Sequence, residues 1–81
     1  MSVTLEHAFG RVLLQERLDA GLSQEELAHR AGLHVNAVSL LERAKRSPSL
    51  ETAFRLAVAL KMQPEQLVQK IGRLYTPQGV E

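Results

Sequence analysis

The chain of 81 residues has no cysteine. Neither a disulfide nor a thiolate-bound metal can therefore staple it, and a reducing cytoplasm is the expected compartment. A chain this short buries only about 60–65% of the surface that its unfolded form exposes. It must pack densely or lean on a partner chain. No apolar stretch approaches the roughly 20 residues needed to span a membrane. Met1 to Val12 lacks a basic start followed by an apolar run, so no signal peptide is expected. Charge of one sign is also scarce. Ten basic residues face nine acidic ones, for a net charge of +1. That excludes a polycationic nucleic-acid coat, and any nucleic-acid role must rest on local clustering. The histidines at 7, 29 and 34 lack ligand spacing such as H-x-x-x-H, so no metal site or cofactor is expected. Gly21 and Gly32 stand alone, and no glycine-rich phosphate loop exists. The serines have no base and orienter beside them, so enzymatic chemistry is not expected. There is no low-complexity segment and no internal repeat. A single domain over residues 1–81 is the expectation, with no room for a separate ligand-binding domain and no small-molecule ligand.

What is present is helical spacing. Apolar residues recur at three and four positions, never in strict alternation. The expected fold is all-α, with five helices. The first runs from about Thr4 to Ala20, with Leu5, Phe9, Val12 and Leu13 as its inner stripe and Gly21 ending it in a left-handed conformation. The second opens at S-Q-E-E, residues 23–26, where Ser23 and Glu26 can form a reciprocal capping box with Leu22 and Leu27 as the staple. Gly32 breaks it. The third runs from about Val35 to Ala44 behind His34, a poor cap. KRSPS, residues 45–49, reads as a loop. The fourth runs from about Leu50 to Lys61, with Leu50, Phe54, Ala57 and Leu60 at helical spacing. The fifth starts at Pro64, which is favoured in a first turn, and ends before Pro77, after which the chain is expected to fray.

Helices two and three meet through A-G-L, residues 31–33, the tight glycine turn of a helix-turn-helix. In that motif the second helix lies in the major groove. At about 100° per residue, Val38, Leu41 and Ala37 of the third helix point one way. Asn36 and Arg43 point the other way, with Ser39 and Leu40 beside them and Val35 at the edge. A solvated polar face would account for this pattern alone. It does not account for the basic run Arg43, Lys45, Arg46 placed where a phosphate backbone would pass.

SQEELAHRAGLHVNAVSLLERAKRSPSLETAFRLAVAL resembles the lambda-repressor-like, XRE/Cro-type helix-turn-helix family, in register over roughly residues 9–62. The resemblance implies a compact five-helix DNA-binding domain with its reading unit at about residues 23–46. It also implies a transcriptional regulator acting on double-stranded DNA as a homodimer on an inverted repeat, of the phage-repressor, restriction–modification controller or antitoxin type. Val35, Asn36 and Leu40 match the family's base-reading positions, with Ala37 and Ser39 adjacent. An asparagine amide can pair bidentately with adenine, and the apolar side chains can pack on thymine methyls, so an A·T-leaning site is expected. Gln24, His34, Arg43, Lys45 and Arg46 match phosphate-binding positions. Arg17 and Glu42 match a pair of charges that orients the reading helix. Three residues depart from the family's pattern. Ala44 and Lys61 stand where glycine is common, and Leu14 where arginine is common.

The fifth helix carries a wide apolar face over about residues 64–75. Val68, Ile71, Leu74 and Tyr75 are the expected dimer contact, and Leu14 with Leu18 is a weaker candidate patch. The rival reading is a protein-interaction module, in which the apolar side of helix three binds a toxin or another protein.

Overall fold

Helix boundaries in this protein follow from local capping chemistry. They are seen in a computed structural model that describes residues 2–76. The helices are α1 (Leu5–Asp19), α2 (Gln24–Ala31), α3 (Val35–Glu42), α4 (Leu50–Ala59) and α5 (Pro64–Leu74). Among the described residues there is no strand. Thr4 caps α1 by accepting from the His7 N–H at 3.2 Å. Ser23 accepts from the Glu26 N–H at 3.0 Å, while the Ser23 N–H donates to the Glu26 carboxylate at 2.8 Å. That backbone donor, then the Ser23 hydroxyl, holds the Glu26 carboxyl below its ordinary pKa. Ser49 caps α4 through the Thr52 N–H at 3.0 Å. At α5 the Gln63 N–H donates to the Gln66 side chain at 2.9 Å, and Pro64 needs no donor. The fraying expected after Pro77 lies outside the described residues.

The C-terminal closures of α1 to α4 repeat one design. A left-handed residue turns the chain, and the next N–H bonds a carbonyl five residues back. The pairs are Leu22 to Arg17, Leu33 to Ala28, Lys45 to Leu40 and Met62 to Ala57. The turning residues are Gly21 and Gly32 in two cases, but Ala44 and Lys61, each at φ 59°, in the others. This is why α3 and α4 end two residues before the expected Ala44 and Lys61. A side chain in this conformation costs about 1–2 kcal/mol, part of which a glycine gives back through its extra unfolded-state entropy. Ala44→Gly and Lys61→Gly should therefore each stabilise the domain by about 0.5–1 kcal/mol, raising the midpoint of thermal unfolding by a few degrees. A lower midpoint in both variants would contradict strain at these turns.

The largest wholly buried side chains are Leu13, Leu27, Leu41, Leu56, Leu67 and Val38. Around them α1 packs on α3 and α5, α2 on α3 and α4, and α4 on α5. Helix α3 is thus gripped from two sides. Part of its contact with α1 is made at the backbone. A Cβ at Gly10 would lie 2.6 Å from the Leu41 carbonyl oxygen and 2.8 Å from that of Glu42.

Two expected core stripes are corrected. Phe9, Val12 and Leu13 of α1 are buried, but Leu5 is exposed. On α4, Leu50 is 73% and Phe54 46% exposed. Spacing of four residues fits either face of a helix. Here Leu56, Ala57 and Ala59 are buried, with Ala53 and Leu60 packed partly against the core, and they take the inner face. That rotates Leu50 and Phe54 outward, in line with Val58 at 69% exposure.

Candidate nucleic-acid interface

The turn between α2 and α3 places Gly32 at φ 70°, and α3 leaves it with His34 as its cap. Val38 and Leu41 face inward and are buried, which fixes the rotation of the helix. Val35 and Asn36 are exposed on its first turn, and Ser39 and Leu40 are half-buried one turn on. Ala37 is set to the side. It lines a cleft with Leu33, Arg46, Pro48 and Thr52, off the outward crest of the helix.

Arg43 lies closer to the reading helix than the basic run alone suggests. Its Nε donates to the Ser39 hydroxyl at 3.2 Å and to the Ser39 carbonyl at 3.4 Å. The guanidinium is therefore laid back along α3, and Ser39 acts as its rest. Lys45 and Arg46 are exposed in the loop that follows. His34 makes no side-chain capping bond. The Ala37 N–H is taken by the His34 carbonyl at 3.0 Å, which leaves the N–H groups of Val35 and Asn36 to face an anion, favoured there by the helix dipole.

Behind the helix sits a charged lock. Arg17 Nε donates to Glu42 Oε2 at 2.7 Å, and Nη2 donates to Oε1 at 3.1 Å. Arg17 Nη1 donates to the Leu22 carbonyl at 2.9 Å. The two side chains are only 11% and 4% exposed. The hydrogen bond to Glu42 raises the Arg17 pKa, against the opposing effect of burial. Gln24 joins the same lock, because its Nε2 donates to Glu42 Oε1 at 2.8 Å. One amide hydrogen is committed there, which leaves only the other for a phosphate. The lock ties α1, the start of α2 and the end of α3 together.

The expected dimer set on α5 is exposed except at one position. Ile71, at 8% exposure, belongs to the core and is withdrawn from the exposed set. Leu74 lies beside Arg11 and Gln15 of α1 and is itself exposed. Val68 and Tyr75 are exposed. Sequence reasoning missed two things. One is Gly10, whose presence inside a helical run, at a cost of about 1 kcal/mol against alanine, was the available signal. The other is the apolar stripe of Leu50, Phe54 and Val58, for which spacing held no signal that separates inside from outside.

A glycine-turned pair of helices, the second braced from behind and edged with free cations, defines a helix-turn-helix protein. The helix-turn-helix family profile matches residues 13–67, and the chain belongs to that family. It is 47% identical over 51 residues to an uncharacterised HTH-type transcriptional regulator of Methanothermobacter thermautotrophicus, covering 62% of this chain and 74% of the relative. It is 35% identical over 69 residues to control protein C.BamHI of Bacillus amyloliquefaciens, covering 84% of this chain and 85% of the relative. Among solved structures, the restriction-modification controller protein C.AhdI of Aeromonas hydrophila superposes with a TM-score of 0.74 at 40% identity. That match covers 76% of this chain and 94% of C.AhdI. No helix among the described residues is long and apolar enough to cross a membrane.

Proposed function

We propose that this chain is a sequence-specific, duplex-DNA-binding transcriptional regulator that acts as a dimer on an inverted repeat. One observation carries the reading. Helix α3 is locked from behind by Gly10, Arg17 and Gln24, yet its outer face is open. That is what a rigid element entering the major groove requires. Asn36 supplies the bidentate amide for adenine, and Val35 and Leu40 pack on thymine methyls. Arg43, Lys45, Arg46, His34 and the remaining amide hydrogen of Gln24 hold phosphates and set the register. The likeness to two control proteins favours the restriction–modification controller among regulator types.

Selection of bound duplexes from a random pool tests the reading. The expected consensus is A·T-rich beneath Asn36 and Leu40. Asn36→Ala should cost about 1–3 kcal/mol at the adenine it pairs with, and relax preference at that position. Lys45→Ala should weaken all sequences alike and lower the salt slope by about 1. Recovery of no duplex above the non-specific level sinks the reading, and a G·C-rich consensus under these residues sinks the assigned roles.

A further inference from the structure

Arg43 stands apart from the other cations of the interface. Lys45 and Arg46 belong to the loop, but the Arg43 side chain folds back along α3 to Ser39. Side chains on a helix lean toward its N-terminus, so this direction is the natural one. Asn36, Ser39, Leu40 and Arg43 are spaced by three and four residues and share one side of the helix. The guanidinium thus lies over the Ser39 turn, on the side that carries Asn36. Only its Nε is engaged. Among the described residues Nη1 and Nη2 donate to no protein atom. The carboxylate next to it in sequence, Glu42, is buried behind α3 and taken by Arg17 and Gln24. Among the described residues no carboxylate pairs with Arg43.

We infer that Arg43 reads the edge of a guanine and that Ser39 sets its aim. The inference rests on the DNA-binding reading, and it moves Arg43 from a phosphate to a base. Bidentate readout of guanine needs two N–H donors held toward O6 and N7. A guanidinium pinned through Nε keeps four hydrogens on Nη1 and Nη2, in a planar fork of fixed direction. Phosphates line the walls of the groove, where Lys45 and Arg46 in the following loop can meet them. A guanidinium laid along the outward ridge of α3 faces the floor of the groove instead. Asn36 and Arg43 are two turns apart, about 10 Å along the axis, and folding back by one turn removes about 5 Å. What remains is one to two base-pair steps of about 3.4 Å. The guanine should therefore lie within about two base pairs of the adenine beneath Asn36, flanking the A·T positions, which stay as assigned. Ser39 is the positioning residue. Its half-buried hydroxyl is spent on Arg43 and not on a base. It orders a long side chain before DNA arrives, which lowers the cost of ordering it on binding.

Selection of duplexes from a random pool, run on the whole chain and on Arg43→Ala, Ser39→Ala and Ser39→Thr at one salt concentration, is the test. The parent should select a guanine flanking the A·T positions. Arg43→Ala should lose about tenfold or more of its preference for that guanine over other bases, with preference elsewhere unchanged. A duplex carrying 7-deazaguanine there lacks the N7 acceptor. It should bind the parent about threefold or more weakly and bind Arg43→Ala as the ordinary duplex does. Ser39→Ala should lower the preference about 3- to 10-fold, and Ser39→Thr, which keeps the hydroxyl, should retain it. Unchanged midpoints of thermal unfolding in these variants would separate aim from folding. Equal weakening of every duplex in Arg43→Ala overturns the inference and returns Arg43 to the phosphates. A preference that Ser39→Ala leaves unmoved, or that Ser39→Thr loses as fully, overturns the role of Ser39. A parent that selects a duplex without that guanine overturns this inference and leaves the DNA-binding reading standing. A parent that selects no duplex removes both.

Discussion

Arg17→Ala will destabilise the domain by about 3–5 kcal/mol, because it leaves the nearly buried Glu42 side chain without its charged partner. Glu42 keeps the amide hydrogen of Gln24 at 2.8 Å but loses both guanidinium bonds. The Leu22 carbonyl loses its side-chain donor as well. A loss of this size is a large part of what a domain of this length has, so the variant should unfold at much lower urea. The double change of Arg17→Met with Glu42→Leu should recover much of the loss, since apolar side chains of similar volume replace buried ion pairs well. It should not recover all of it, because Leu22 and Gln24 stay unpartnered. The Arg17 pKa is raised, so its contribution is fully present below the ordinary arginine range and lost only above it. Urea titrations of the single variant should therefore show the same loss at pH 6 and pH 8. A single variant as stable as the parent would show that the lock contributes nothing to the fold.

The second large effect is a sign reversal between two glycines. Gly10→Ala should destabilise by about 2 kcal/mol or more, because the new methyl meets carbonyl oxygens of α3 that cannot move without the helix. The required approach of 2.6 Å is far inside ordinary contact distance. Gly72→Ala, in α5 with nothing within 4 Å of the added atom, should instead stabilise by about 0.5–1 kcal/mol. The same chemical change thus separates helix propensity from steric fit. Gly10→Ala should also weaken specific duplex binding by more than its unfolded fraction explains, because α3 is pushed off its seat. Thermal unfolding of both variants, with binding measured below the transition, checks the pair. A stabilised Gly10→Ala would mean that α1 and α3 can part freely.

The contrast between these glycines marks what was legible in the chain. Ser23 with Glu26, Gly32, and Pro64 announce their roles because a cap is made within four residues. Ala44 is singled out by the resemblance, as a position where glycine is common. Which side of α4 faces the core is not local. Leu50 and Phe54 satisfy helical spacing as well as Ala53 and Ala57 do, and only the neighbouring helices decide between them. Gly10 answers to Leu41 and Glu42, some thirty residues away. The joining of Arg17 to Glu42 rests on resemblance rather than on spacing. Gln24 as a buttress of α3 rests on the same resemblance, and its bond to Glu42 is seen in the geometry.

Helix α3 is held at its backbone carbonyls and at Glu42, and not through Val35 or Asn36. The machinery of alignment is thus separate from the alphabet it presents. New lettering at these two positions carries little penalty in folding. On the proposed reading such a scaffold is retargeted by single substitutions, each intermediate remaining a sound protein, so its choice of address is free to drift while its architecture stays fixed.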